Sequence, residues 1–213
     1  MTLNTTTMKK KTVYLFVFDG FADWEAAYAL VGINISKAYT IKTIAIDKTH
    51  KKSMGGVLIF PDIDFLPETD LRDIDQSNTA MLILPGGSAW EEKTNRSIAP
   101  LVLHCVEHGI PVAAVCGATI FLADLGLLDA IDHTSNDLGY LQLFSSYYKG
   151  HPFYQYRPSV ACERIITASG PAAIEFAGTI FEMLGIAHAD PVKSWFQYFQ
   201  NKAVNFIPDV VVG

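Results

Sequence analysis

One run constrains the chain more than any other: P-V-A-A-V-C-G-A-T at residues 111–119. Small and β-branched apolar residues lead into Cys116, and Gly117-Ala118-Thr119 then opens the helical pattern I-F-L-A-D-L-G-L-L. A buried parallel strand that turns sharply into a helix is the reading this order allows. Such an elbow strains the turning residue and needs a glycine where the chain packs closely, at Gly117. The thiol is then lifted out of the sheet at a helix N-terminus, where unpaired N–H groups and the helix dipole favour its thiolate. A reactive Cys116 is one expectation, and an inert packed cysteine is the other.

The flanking chain supplies the sheet this elbow needs. Residues 13–18 form a continuous apolar run closed by Asp19-Gly20, and residues 22–36 carry apolar side chains at Trp24, Ala27, Tyr28, Val31 and Ile35, a helical stripe. The β-branched run 40–46 completes a strand-helix-strand unit. Met54-Gly55-Gly56 marks a hairpin excursion with a short extended piece between Pro61 and Pro67, and residues 62–76 hold a short helical turn around Leu71. Further strands are expected at 80–84, 111–115 and 164–167, with helices at 97–108, 138–148, 172–184 and 192–199. Alternation of this kind predicts an α/β fold with an open, mostly parallel central sheet covered by helices on both faces.

In such sheets ligands bind beyond the carboxyl ends of the strands. Asp19-Gly20, Pro85-Gly86-Gly87 and Cys116-Gly117 all fall there, each marked by glycine. The N–H groups of Gly87, Gly117 and Ala118 are candidates for an oxyanion hole, with Gly86 lining the pocket. Glu25 can face solvent, cap a neighbouring helix or reach inward to the Cys116 sulfur, and its apolar setting F-A-D-W-E-A-A favours the inward position. Thiol and carboxyl would then titrate as a coupled pair.

The 213 residues suit one domain, expected over 11–213 after a disordered leader at 1–10, with a helical extension from about 189. A net charge of −6 argues against nucleic acid or an anionic membrane as partner. No run has the apolar length to span a bilayer. Three cysteines without C-x-x-C spacing fit a reducing compartment, so the protein is read as cytoplasmic. His104 and His108 share a helix face, but no further ligand has fixed spacing, so neither metal nor cofactor is expected. The partner expected is a small-molecule substrate, and the chain is expected to form a homodimer.

These pieces together resemble the ThiJ/PfpI (DJ-one) superfamily, which is class I glutamine amidotransferase-like. The resemblance rests on V-Y-L-F-V-F-D-G-F-A-D-W-E-A (13–26), L-I-L-P-G-G (82–87), P-V-A-A-V-C-G-A-T, L-A-D-L-G-L-L (122–128) and I-I-T-A-S-G-P-A-A (165–173). It implies a flavodoxin-like three-layer α-β-α sandwich, a nucleophile elbow at Cys116 and an acidic partner at Glu25. Many members also carry a His about twenty residues past the elbow, and here that position reads Asn136, with His133 nearby in H-T-S-N. Asparagine cannot take a proton from a thiol, so a Cys-His peptidase dyad is not expected. Asn136 and His133 are instead placed in the pocket. The resemblance implies glyoxalase- or deglycase-like chemistry on a small carbonyl, or amide hydrolysis. The other reading is a cysteine-based oxidative-stress sensor or binding protein.

Overall fold

A computed structural model describes residues 10–65, 71 and 74–201. The first unit is β1 (Thr12–Phe16), α1 (Asp23–Ser36) and β2 (Thr40–Ala45), followed by a ribbon of β3 (Lys51–Lys52) and β4 (Leu58–Ile59). Then come β5 (Ile63–Asp64), β6 (Thr79–Leu84), α2 (Ala99–Glu107), β7 (Val112–Val115), α3 (Ala118–Asp124) and α4 (Leu138–Phe144). The chain finishes through β8 (Ser159–Cys162), β9 (Ile165–Ala168), α5 (Ala173–Met183) and α6 (Asp190–Gln200).

The main sheet runs β5-β2-β1-β6-β7-β9-β8, parallel throughout except where β8 pairs antiparallel with β9. This is the mostly parallel α/β fold expected from the alternation of elements. β6 and β7, which carry T-A-M-L-I-L and V-A-A-V, are buried along their whole length. Such strands are covered on both faces, which is why they read as unbroken apolar runs.

From β1 the chain steps outward to β2, and from β6 it steps the other way to β7. Right-handed crossovers in opposite directions put α1 and α2 on opposite faces and leave a switch point between β1 and β6. α1 packs on α5, and α6 packs on both. Phe196 of α6 meets Phe181 at 5.9 Å between ring centroids, and Phe199 meets Tyr28 at 4.9 Å.

Several expectations are corrected. The ribbon is present where the hairpin was expected, and β5 falls in the short extended piece expected between Pro61 and Pro67, but its place at the sheet edge and the edge strand β8 were not anticipated. Two residues of β5, Ile63 and Asp64, pair with β2, too short a stretch to show a period. β8 carries no apolar run either, because as an edge strand it reads S-V-A-C with an exposed Ala161. The helix expected at 138–148 ends at Phe144. The buried face of α1 is Glu25, Ala26, Ala29, Gly32 and Ile33, so the apolar stripe through Trp24 and Val31 faces outward. Small residues win that face because α5 lies close; a Cβ on Gly32 would come within 2.1 Å of the Phe181 ring. The leader at 1–10 falls almost entirely outside the described residues, as do the neighbours of Leu71 at 66–70 and 72–73.

Among the described residues no helix is long and apolar enough to cross a membrane.

Candidate active site

Cys116 leaves β7 with φ of 57°, in the left-handed region that a side chain with a Cβ seldom adopts. Three bonds hold it there. Its N–H donates to Ala168 O of β9 at 2.9 Å, and its carbonyl accepts from Thr119 N at 3.1 Å and from Thr119 Oγ1 at 2.6 Å. Thr119 is in turn bonded to the buried Ser135 hydroxyl at 2.7 Å. Gly117 is a steric necessity, since a Cβ there would lie 2.9 Å from Gly87 O and 3.2 Å from the Trp90 ring. Trp90 is fixed by its own indole N–H, which donates to Pro85 O at 2.8 Å.

Glu25 sits in the first turn of α1 and is 1% exposed. Its Oε2 accepts the Gly86 N–H at 2.6 Å, while Gly86 O accepts the Ala22 N–H at 2.9 Å. The loop after β6 is thereby clamped to the start of α1, across the switch point. Gly86 has no room for a side chain, because a Cβ would fall 2.6 Å from Cys116 Cβ and 2.7 Å from Glu25 Oε2. The carboxyl and the thiol are in hydrogen-bonding reach of each other.

Electrostatics at this pair reverse one expectation. Burial, reinforced by the negative charge of Glu25, pushes the Cys116 thiol up to about 11. Hydrogen bonds to the sulfur from Asn136 and from the Gly117 N–H act in the opposite sense but are outweighed. The helix dipole expected to favour thiolate comes from α3, which has only 7 residues, and it does not overcome desolvation. Glu25 is likewise raised, to about 7, by burial against the lowering effects of Gly86 and Cys116. Near neutral pH the proton shared by this pair therefore rests on sulfur, and the carboxyl is half ionised.

Asn136 stands beside the sulfur with its amide orientation set by both ends. Nδ2 donates to Cys116 Sγ at 3.3 Å, and Oδ1 accepts the Gly170 N–H at 2.9 Å. The segment before it is anchored in the core: Thr134 N donates to Thr167 Oγ1 at 2.8 Å and Thr134 Oγ1 to Arg157 O at 2.8 Å. Outside, a groove of about 430 Å³ is lined by Asn136, Ser135, Ser169, Pro171, Tyr154 and Arg157.

The structure thus brings Cys116, Glu25, Gly86, Gly117 and Asn136 together, with Gly87 against Gly117. Gly87 has φ of 147°, and its N–H and that of Ala118 donate to no acceptor among the described residues. His133 does not belong to the pocket. It is fully buried, with Nδ1 engaged by Ile131 O and Nε2 by Tyr148 OH, both at 2.7 Å, and the rings of Tyr148 and Tyr154 stand edge-on to it. Its proton affinity is lowered by burial. It is a core histidine that braces the approach to Asn136.

Gly170 is the site residue that sequence reasoning passed over. A Cβ there would lie 3.0 Å from Cys116 Sγ and 3.2 Å from Glu25 Oε1, so its bare backbone forms one wall of the thiol. Its signal was available: S-G-P follows β9, and the carboxyl ends of the other inner strands already defined the crevice. Elsewhere, His104 and His108 stack at 4.0 Å, and each has one ring nitrogen on a backbone carbonyl. Cys105 is buried, and burial pushes its thiol up to about 12.

Comparison with known proteins places the chain in a family. Residues 11–183 match the model of the DJ-1/PfpI family. YoaZ of Bacillus subtilis, named an uncharacterized protease, is 36% identical over 197 residues, which cover 89% of this chain and 91% of that protein. YdeA of the same organism, also named an uncharacterized protease, is 30% identical over 177 residues, 82% of this chain and 83% of that protein. The crystal structure of a thiJ/pfpI family protein from Bacillus anthracis superimposes with a TM-score of 0.81 at 34% identity, covering 92% of this chain and 93% of the other. That of a DJ-1 superfamily protein from Agrobacterium tumefaciens gives 0.80 at 26% identity, over 90% and 98%.

Proposed function

The chain belongs to the DJ-1/PfpI family, and from that premise we propose that Cys116 adds as a nucleophile to a small carbonyl compound while Glu25 carries the proton. The observation that supports this most is the buried Glu25 carboxyl, raised to about 7, in reach of a thiol that keeps its own proton. A general base works best when its pKa lies near the working pH.

In the first step the sulfur lone pair forms the S–C bond as the thiol proton passes to the Glu25 carboxylate. The carbonyl π pair moves onto oxygen. The N–H groups of Gly87 and Ala118, which meet no acceptor among the described residues, are available to the developing alkoxide. Glu25 then returns the proton to that oxygen, giving a neutral hemithioacetal. With a 2-oxoaldehyde, Glu25 next moves the proton from the attacked carbon to the neighbouring carbonyl carbon, giving the thioester of a 2-hydroxy acid, and water cleaves that thioester to release the acid and the Cys116 thiol. Proton transfer from thiol to carboxylate is uphill alone and is drawn forward by S–C bond formation in the same step.

Peptide hydrolysis is not the reading favoured, in spite of the protease names of the Bacillus relatives. It calls for an imidazole or equivalent base to activate thiol and water, and both nitrogens of His133 are committed elsewhere. An oxidant sensor is less well supported as well, since it is the thiolate that attacks peroxide and this thiol is held protonated.

The test is consumption of a panel of small 2-oxoaldehydes, followed by loss of their carbonyl absorbance. Cys116→Ser and Glu25→Gln are both expected to lose turnover. Unchanged turnover in Cys116→Ser contradicts the proposal.

A further inference from the structure

Asn136 carries two amide hydrogens, and Cys116 Sγ takes one of them. An acceptor for the other is within hydrogen-bonding reach, the hydroxyl oxygen of Tyr140 in the first turn of α4. That hydroxyl is itself committed, since it donates to Glu91 Oε1 at 2.5 Å. Burial, and after it the Glu91 carboxylate and the charge at Cys116, push the phenol well above its ordinary value, so the proton stays on Tyr140. A hydroxyl has one hydrogen. With that hydrogen spent on Glu91, the oxygen can only accept from Asn136.

Both members of the pair are held from behind. Glu91 follows Trp90 in the turn Ser88–Trp90, and the Trp90 ring is 2% exposed, packed beside Gly117 and bonded to Pro85 O. Tyr140 lies against the Phe144 ring at 5.1 Å, on a helix whose Asp137 cap accepts the Gly139 N–H at 2.7 Å. The bond between them therefore ties the loop after β6 to the start of α4, 49 residues away, and the elbow lies between the two in sequence.

Every bond in this series fixes a direction. The Gly170 N–H requires oxygen at one end of the Asn136 amide, and the Tyr140 oxygen, with no hydrogen left to offer, requires nitrogen at the other. A flipped amide would set donor against donor at Gly170 and oxygen against both the Tyr140 oxygen and the sulfur. One orientation satisfies all partners, and it is the one that turns an N–H to Cys116 Sγ.

We propose that Glu91 and Tyr140 are positioning residues for the thiol: Glu91 holds the Tyr140 proton, Tyr140 holds the Asn136 amide, and Asn136 thereby keeps an N–H on Cys116 Sγ. The assignment rests on the reading of Cys116 as a nucleophile, because an N–H aimed at sulfur gains strength as negative charge builds there.

The experiment is the pH profile of Cys116 labelling by iodoacetamide, read on the Cys116 peptide by mass spectrometry after reaction of the full chain. Glu25, the titratable group of α1 that acts directly on the thiol, is untouched in every variant. Tyr140→Phe keeps the ring on Phe144 and removes only the hydroxyl, and it should slow labelling at pH values below the thiol midpoint by about three- to tenfold, as for one lost hydrogen bond. Above the midpoint its rate should match wild type. Tyr140→Phe should add nothing to Asn136→Leu, with Asn136→Ala in its place where the leucine variant fails to fold, and Glu91→Leu should add nothing to Tyr140→Phe. A wild-type profile in Tyr140→Phe, a further loss when it is added to the Asn136 variant, or a Glu91→Leu effect that persists without the hydroxyl would each overturn the proposal. Labelling needs no turnover, so a wild-type chain that consumes no 2-oxoaldehyde would contradict the carbonyl chemistry while the profiles still decide the positioning.

Discussion

Glu25 Oε2 accepts the Gly86 N–H at 2.6 Å, and this bond joins the first turn of α1 to the loop after β6 at the point where Cys116 emerges. It holds the carboxyl dry and close to sulfur. The bond favours the charged carboxylate, yet burial outweighs it and the group titrates at about 7.

Stability should carry the mark of that burial. A carboxyl whose folded pKa is raised binds its proton more tightly in the native state, so its contribution is full below the ordinary value of 4.5 and is lost as pH rises to about 7. The interval corresponds to about 3 kcal/mol. Urea unfolding of Glu25→Gln against wild type should therefore show the variant gaining by about that amount between pH 4.5 and pH 8. Parallel curves across this range would mean that Glu25 is not desolvated.

Gly86 has no room for a methyl group, with Cys116 Cβ and Glu25 Oε2 both under 3 Å from where it would sit. Gly86→Ala is expected to cost about 1–3 kcal/mol of stability by overpacking and to displace thiol and carboxyl from each other. Carbonyl turnover should fall with it. A variant as stable and active as wild type would show that the clamp is not required.

Gly170→Ala tests a different wall. The new methyl would stand 3.0 Å from Sγ and 3.2 Å from Glu25 Oε1, pressing on the thiol and the carboxyl. Iodoacetamide should label Cys116 more slowly at every pH, with little change in the urea midpoint. Labelling at the wild-type rate would place the approach to sulfur elsewhere.

How much of this could be read without coordinates follows from what kind of signal each part left. β6 and β7 were legible because strands buried on both faces must be continuously apolar, and the elbow because only glycine fits beside Cys116. The active face of α1 was misread. Trp24 and Val31 dominate its hydrophobicity yet point outward, since the helix packs through Ala26, Ala29 and Gly32, which a count of large apolar residues ignores. His133 was drawn to the pocket by its nearness to Asn136 in sequence. One residue step along an extended, buried segment turns a side chain to the opposite side, and three steps put the imidazole in the core. The direction of the thiol shift was missed for another reason: a helix N-terminus is visible in sequence, whereas the depth of burial that opposes it is not.

Gly32→Ala separates fold from site. Its methyl would press into the Phe181 ring between α1 and α5, well away from the thiol in the fold. A stability loss of about 1–3 kcal/mol is expected, with the labelling rate of Cys116 unchanged in the folded protein. A changed labelling rate would show that the α1–α5 contact sets the position of Glu25.

The most direct measurement is the pH dependence of Cys116 labelling by iodoacetamide in wild type and in Glu25→Gln. Glutamine keeps an oxygen for the Gly86 N–H, removes the charge and presents an N–H₂ to sulfur. The account predicts a wild-type midpoint well above the ordinary thiol value, near 11, and a clear downward move in the variant, which nonetheless loses carbonyl turnover. A wild-type midpoint below the ordinary thiol value, or one that does not move when the Glu25 charge is removed, would contradict the coupled thiol-carboxyl pair on which the mechanism stands.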